Sequence, residues 1–279
     1  MAPALRELFS RGAAELKKLG VSSPAVEAGM LLEAVSHIPP LELETSSRPA
    51  TPAEAENFDA LLRRRAAHEP VQYLVGKAFF HDIEVEVSPA VLIPRPETEL
   101  LVDRVLELLP ADGALLDLGT GSGAIALAVA HHRPGARIVG ADVSPEALKV
   151  ARRNGERLKA RNVEFVRSDL FSALAGRRFD VIAANLPYVP EEVRDRLDPE
   201  VAEHEPALAL FAAEHGTAVI RRALAELKDH LVRGGRAIFE LDPDQAAEIA
   251  ERLESLGFAA TIRRDLTDRE RFVEGVAES

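Results

Sequence analysis

Leu115-Leu116-Asp117-Leu118-Gly119-Thr120-Gly121-Ser122-Gly123 decides the fold of this chain. Apolar residues run into a carboxylate, glycines follow at alternate positions, and Ala124 to Ala130 then form an unbroken apolar run. That order predicts a buried strand, a tight turn and a buried helix from Ala124 to His132. Glycines let the backbone turn sharply and approach a ligand where a Cβ would intrude. Because Gly119-x-Gly121-x-x-Ala124 also meets the dinucleotide-binding fingerprint, the glycines alone leave the kind of nucleoside cofactor open.

Outward from this loop, the chain beyond Glu97 alternates helical spacing with short apolar stretches, the pattern of a parallel sheet covered on both faces. Strands are predicted over 114–118, 137–141, 163–167, 180–184 and 236–241, with two more in the tail at 258–263 and 271–277. Together they make an α/β fold with a Rossmann-like seven-stranded sheet. Toward the N-terminus, Leu5, Leu8, Phe9, Leu16 and Leu19 recur at helical spacing. Ser23-Pro24 and Thr51-Pro52 each pair an N-cap residue with proline in the first turn. Residues 1–72 therefore read as a small helical domain. Its third helix turns Phe58, Leu61 and Leu62 inward and ends in Arg63, Arg64 and Arg65, expected as a solvated end complementing the helix dipole. Alternation at Ile83, Val85 and Val87 predicts a strand, hairpinned with the apolar segment 73–80. Residues 73–110 are expected to be hairpin and linker, and 111–279 the catalytic domain.

Bulk properties narrow the function. The chain has 279 residues, 47% of them hydrophobic, enough for a real core and more than one compact domain. With 34 basic and 46 acidic residues its formal net charge is −12, which opposes a broad footprint for nucleic-acid phosphates. No cysteine is present, so disulfides, thiolate nucleophiles and Cys-based metal sites are excluded. Arg6, Glu7, Arg11 and Glu15 interrupt the N-terminal apolar residues, unlike a secretion signal, and no apolar run approaches bilayer length. A cytoplasmic protein without membrane contact is expected. No metal is expected: His131 and His132 are adjacent and diverge on a helix, and His204 and His215 have no partner at ligand spacing.

The carboxylates sharpen the cofactor. Asp117 at the strand end suits an ammonium or sulfonium charge and would repel a diphosphate; capping the next helix is its other use. Asp142 closes the second strand, where a carboxylate can accept both hydroxyls of a ribose. Asp169 follows the third strand at the same sheet edge, where adenine should lie, and Leu170 can pack on that ring. These positions point to S-adenosylmethionine. After the fourth strand stands Asn185-Leu186-Pro187-Tyr188. An amide nitrogen is a poor nucleophile because its lone pair is delocalised, so a site must fix it against the methyl group. Asn185 Oδ1 and the Leu186 carbonyl can accept its two N–H bonds, Pro187 confines Leu186 to extended backbone, and Tyr188 offers a flat wall.

On these residues the chain resembles the protein-(glutamine N5) methyltransferases of peptide chain release factors, the HemK or PrmC family. The resemblance runs from the helical N-terminus through Leu92-Ile93-Pro94-Arg95-Pro96-Glu97-Thr98-Glu99, the glycine loop and Asn185 to Tyr188, and extends to Glu205-Pro206-Ala207-Leu208-Ala209-Leu210. It implies methyl transfer from S-adenosylmethionine to the glutamine amide of a Gly-Gly-Gln motif in a class I release factor, with the N-terminal helices helping to hold that partner. Asn185, Pro187 and Tyr188 are then expected to be catalytic, and Asn185 to Tyr188 to hold the substrate amide. Asp117, Gly119, Thr120, Gly121, Ser122, Gly123, Asp142, Asp169, Leu170 and Asn185 are expected at the cofactor. The family's usual clamp is Asn-Pro-Pro-Tyr, and Glu240-Leu241-Asp242 stands where Glu-Ile-Gly is usual. Asn-Leu-Pro-Tyr is carried by ribosomal RNA adenine-N6 dimethyltransferases, so adenine-N6 methylation of ribosomal RNA is the alternative. Against it, Glu191, Glu192, Asp195 and Asp198 follow the clamp where a phosphate-binding surface would be basic.

Overall fold

The computed structural model describes residues 2–277. It begins with helices α1 (Leu5–Lys18), α2 (Pro24–Ser36), α3 (Pro40–Leu43), α4 (Pro52–Ala66) and α5 (Val71–Val75), followed by strands β1 (Lys77–Phe80) and β2 (Ile83–Glu86). Next come α6 (Pro96–Leu108), β3 (Ala114–Leu118), α7 (Ala124–His132), β4 (Arg137–Asp142), α8 (Pro145–Arg157), β5 (Val163–Arg167) and β6 (Phe179–Asn185). After β7 (Val189–Pro190), α9 (Pro199–His204), α10 (Ala207–Leu210) and β8 (Phe211–Ala212), the chain ends in α11 (Ala218–His230), β9 (Leu231–Glu240), α12 (Ala246–Ser255), β10 (Phe258–Arg264) and β11 (Glu270–Ala277).

Two compact units result, residues 1–76 with 198–204, and residues 77–197 with 205–279. Helices α2 and α4 start at the predicted prolines, Pro24 and Pro52, but the Ser23 side chain makes no capping hydrogen bond whereas Thr51 does. The Thr51 hydroxyl accepts from the Glu54 N–H at 3.2 Å while Glu54 Oε2 accepts from the Thr51 N–H at 2.7 Å, satisfying two orphan donors of α4. Leu5, Leu8, Leu16, Leu31, Leu32, Phe58 and Leu62 close its core.

Two expectations are corrected here. Arg65 is not solvated but 4% exposed: it donates to Glu27 at 2.6 Å and also pairs with Glu200 of α9. It lies three and seven residues after Leu62 and Phe58, on the same buried face of α4, and only paired carboxylates make that burial tolerable. Residues 73–75 are helical, because Pro70 leads a short helix that Gly76 ends in left-handed backbone at φ 75°. The hairpin is therefore confined to β1 and β2.

The second unit is built on a seven-stranded sheet in the order β10-β11-β9-β6-β3-β4-β5, with β11 antiparallel to both neighbours and the central strands parallel. Buried side chains from Leu116, Ile182, Phe239 and Leu224 form part of its main core. Residues 96–108, expected in a linker, form α6 and belong to this unit. Arg104 of α6 donates to Glu274 of β11 at 2.9 Å, and Arg236 and Arg263 reach the same 2%-exposed carboxylate at 2.6 Å. No helix among the described residues is long and apolar enough to cross a membrane.

Candidate active site

Parallel strands bring all their carboxyl ends to one edge, and ligands collect where the strand order reverses. That reversal falls at β3, with β4 on one side and β6 on the other. A cavity of about 390 Å³ opens there, within the usual range for a small-molecule site. Its lining includes Gly119 to Ser122 after β3, Asp142 at the end of β4, Asp169 and Leu170 after β5, and Asn185, Leu186 and Pro187 after β6. Sequence reasoning thus placed most of its residues around one cavity. Asp117, Gly123 and Tyr188 are not among the lining.

The turn after β3 needs its glycines: Gly119, Gly121 and Gly123 have φ of 81°, 55° and 83°. At Gly119 a Cβ would also come within 2.9 Å of Leu186 Cδ2, so the loop and the residue after Asn185 are in direct contact. The loop's N–H groups are largely committed within the fold. Gly119 and Thr120 both donate to the Ala141 carbonyl, Gly121 donates to Asp142 Oδ2 at 2.9 Å, and Gly123 donates to the Thr120 carbonyl. A diphosphate would need such amides free. The loop instead offers an open backbone surface beside a carboxylate, which suits a nucleoside without phosphates. Asp142 Oδ1 accepts from the Ser144 N–H at 2.8 Å, so both oxygens are held in place while retaining lone pairs for a diol.

Asp117 lies behind this loop, fully buried. Its Oδ2 accepts from the Ala126 N–H of α7 at 3.1 Å and from the Thr120 hydroxyl at 2.5 Å, the capping use of that carboxylate, while Oδ1 has no hydrogen-bond partner. Burial raises its pKa to about 7, against the lowering effect of those two bonds. Glu240 is likewise raised to about 7, chiefly by burial. For a carboxyl whose folded pKa exceeds its unfolded one, the folded state holds the proton more tightly. The stability this gives is complete below about pH 4 and is lost as the pH rises through about 7. Replacing Asp117 with asparagine is expected to flatten this fall. Denaturant unfolding of both proteins at pH 5 and pH 8 measures it, and equal pH dependence in the two would contradict it.

Around Asn185, residues distant in sequence converge. Asn185 Nδ2 donates to Thr98 Oγ1 at 3.1 Å, which fixes the amide's nitrogen and leaves its carbonyl oxygen as the acceptor. Thr98 is buried at the start of α6, within the segment Leu92 to Glu99, and its hydroxyl lies near enough to Glu240 to favour that carboxylate's charged form. Asn185 and Glu240 are register partners on β6 and β9. Tyr188, expected as a wall of the site, is instead half-buried against the main core; burial and the charge of Glu240 push its hydroxyl pKa well up. Leu186, although it also borders the cavity, is buried in the same core and meets Gly119, so the position that differs from the usual proline is filled by apolar packing.

Two further supports were not readable as such. The Tyr188 carbonyl accepts from Gln245 Nε2 at 2.8 Å, and Gln245 also donates to the His215 carbonyl at 2.9 Å. Gln245 sits in a turn that Asp242 caps by accepting from the Asp244 N–H, a use for the carboxylate that a glycine there could not serve. At the cavity mouth Arg95 donates to the buried Glu205 at 2.7 Å, joining the segment 92–99 to the segment 205–210. The second of these presents Pro206, Ala209 and the 62%-exposed Leu208 around the opening.

A Rossmann-like sheet with this strand order and this edge defines the chain as an α/β methyltransferase. A methyltransferase of Pyrococcus furiosus shares the fold with a TM-score of 0.56 and 21% identity, covering 80% of this chain and all of that one. The N-terminal model of PrmC matches residues 7–76 and the methyltransferase small domain matches residues 96–202. A release factor glutamine methyltransferase of Deinococcus radiodurans is 41% identical over 96% of this chain and 97% of its own, and one of Caulobacter vibrioides is 38% identical over 94% and 92%. The chain belongs to the release factor glutamine methyltransferase family.

Proposed function

We propose that this enzyme transfers a methyl group from S-adenosylmethionine to the side-chain N5 of the glutamine in the Gly-Gly-Gln motif of a class I peptide chain release factor, in the cytoplasm. The observation that carries this reading is the fixed amide of Asn185 at the rim of a cavity whose glycine loop has committed its amides internally. When bound, S-adenosylmethionine supplies an electrophilic methyl carbon on a sulfonium. Asp142 would hold the ribose hydroxyls, Leu170 would pack on the adenine, and Gly119 and Gly121 would let the remainder lie close to the backbone. Asn185 Oδ1 and the Leu186 carbonyl accept the two N–H bonds of the incoming amide, which turns its nitrogen toward the methyl group. The methyl group would pass to that nitrogen with S-adenosylhomocysteine as the leaving group, and the nitrogen would then release one proton to solvent. Orientation of this kind accounts for roughly 7–11 kcal/mol of a barrier, so no strong base is required.

Tritiated S-adenosylmethionine and intact release factor make the test. Label is expected in the release factor and not in a variant whose acceptor glutamine is replaced. Label in ribosomal RNA with none in release factor would overturn the proposal in favour of adenine-N6 methylation.

A further inference from the structure

We propose that His81, Asp82 and His132 form a binding site for one divalent transition-metal ion of the zinc type, separate from the cofactor cavity. His81 and Asp82 are the two loop residues of the β1–β2 hairpin, and His132 is the last residue of α7. Three atoms converge: His81 Nδ1 to Asp82 Oδ2 is 3.3 Å, His132 Nε2 to the same Oδ2 is 3.0 Å, and His132 Nε2 to His81 Nδ1 is 3.3 Å. Zinc held at about 2.0–2.1 Å by nitrogen and oxygen in a tetrahedron places its ligands about 3.3–3.4 Å apart, so this triangle is close to one face of such a polyhedron.

Two observations argue for a cation rather than an ordinary polar contact. His81 Nε2 lies 3.0 Å from Asp103 Oδ1 of α6. With the Nε2 proton directed at Asp103, His81 Nδ1 is aimed at a carboxylate oxygen and a second imidazole nitrogen, three donor atoms that one positive ion can hold together. An imidazole backed by a carboxylate is also the usual outer support of a metal-bound histidine. Secondly, His81 adopts φ 51° in a two-residue hairpin loop, where glycine or asparagine is favoured, so the imidazole is kept at a conformational cost. Asp82 is 61% exposed, which leaves the open side of the triangle to water as a fourth ligand. A metal here would tie the hairpin to α7. Phe80, adjacent to His81, lines the cofactor cavity, and α7 begins at the glycine loop.

The test uses tag-free full-length protein, stripped with chelator and titrated with Zn2+ by calorimetry, with bound zinc per chain measured after dialysis. One Zn2+ per chain is expected. H81N, chosen because asparagine tolerates the left-handed backbone, and H132Q should each weaken binding at least about a hundredfold, whereas H131Q should not. Zinc should raise the melting temperature of the parent protein and leave that of the H81N/H132Q double variant unchanged. Absence of zinc uptake, which would leave an ordinary hydrogen-bonded contact, or uptake that survives the double substitution, which would place the ion elsewhere, would overturn the proposal.

Discussion

Replacing Asn185 with alanine is expected to lower the rate of methyl transfer at least about a hundredfold while leaving cofactor affinity nearly unchanged. Loss of one preorganised hydrogen-bonding group at a reacting centre typically costs roughly 10²–10³ in rate. Asn185 is placed for such a role because Thr98 occupies its nitrogen, so that an acceptor and not a donor meets the incoming amide. Thr98→Val tests the same geometry from behind. It removes the hydroxyl but keeps the shape, and its effect should fall between that of the parent and Asn185→Ala, with Thr98→Ser close to the parent. Single-turnover rates at saturating cofactor, set beside calorimetric cofactor affinities, separate the two quantities. If Asn185→Ala lost affinity as fully as rate, Asn185 would be a cofactor or structural residue.

A second large effect is expected at a residue outside the cavity. Gly216 has φ 86°, and a Cβ there would lie 2.0 Å from the Tyr188 carbonyl oxygen and 2.5 Å from Gln245 Nε2. Neither neighbour can yield without breaking the bond that holds the Tyr188 carbonyl. Gly216→Ala should therefore destabilise the fold by about 3 kcal/mol or more, from left-handed strain and overpacking together. Activity should fall beyond what the lost folded fraction explains. Gly176 supplies the control: its φ is 76° but no atom lies within 4 Å of its added Cβ, so Gly176→Ala should show the backbone penalty alone. Urea unfolding midpoints of the two variants, measured together, decide the matter; equal losses would remove the special status of Gly216.

Much of the site was legible because its signals are local. The limits of β3 and α7 agree with the reading of residues 114–118 and 124–132, since apolar runs and left-handed glycines mark strand, turn and helix without reference to the rest of the chain. Asn185 ends its strand for the same reason. What escaped depends on distant register. Glu240 comes beside Asn185 only through the pairing of β6 with β9, and Thr98 is 87 residues from the amide it fixes. Gly216 and Gln245 support the Tyr188 carbonyl from segments with no motif of their own. At Asp117 the structure shows the capping use of the carboxylate and not the charge contact: it caps α7 from behind the loop, a placement that depends on how the buried strand end meets the helix start.

Residues 198–204 have a practical consequence for dissecting the enzyme. The chain passes from the first unit to the second after Gly76, returns to the first at Asp198 and leaves it again after His204. A truncation starting at Lys77 would therefore retain a guest peptide whose hosts were gone: Glu200 without Arg65, and His204 without the Ala67 carbonyl that it meets at 3.1 Å. The cut that looks clean on a linear map is not clean in three dimensions. A self-sufficient catalytic fragment needs a second edit, a short bridge from Leu197 to Glu205 in place of the excursion.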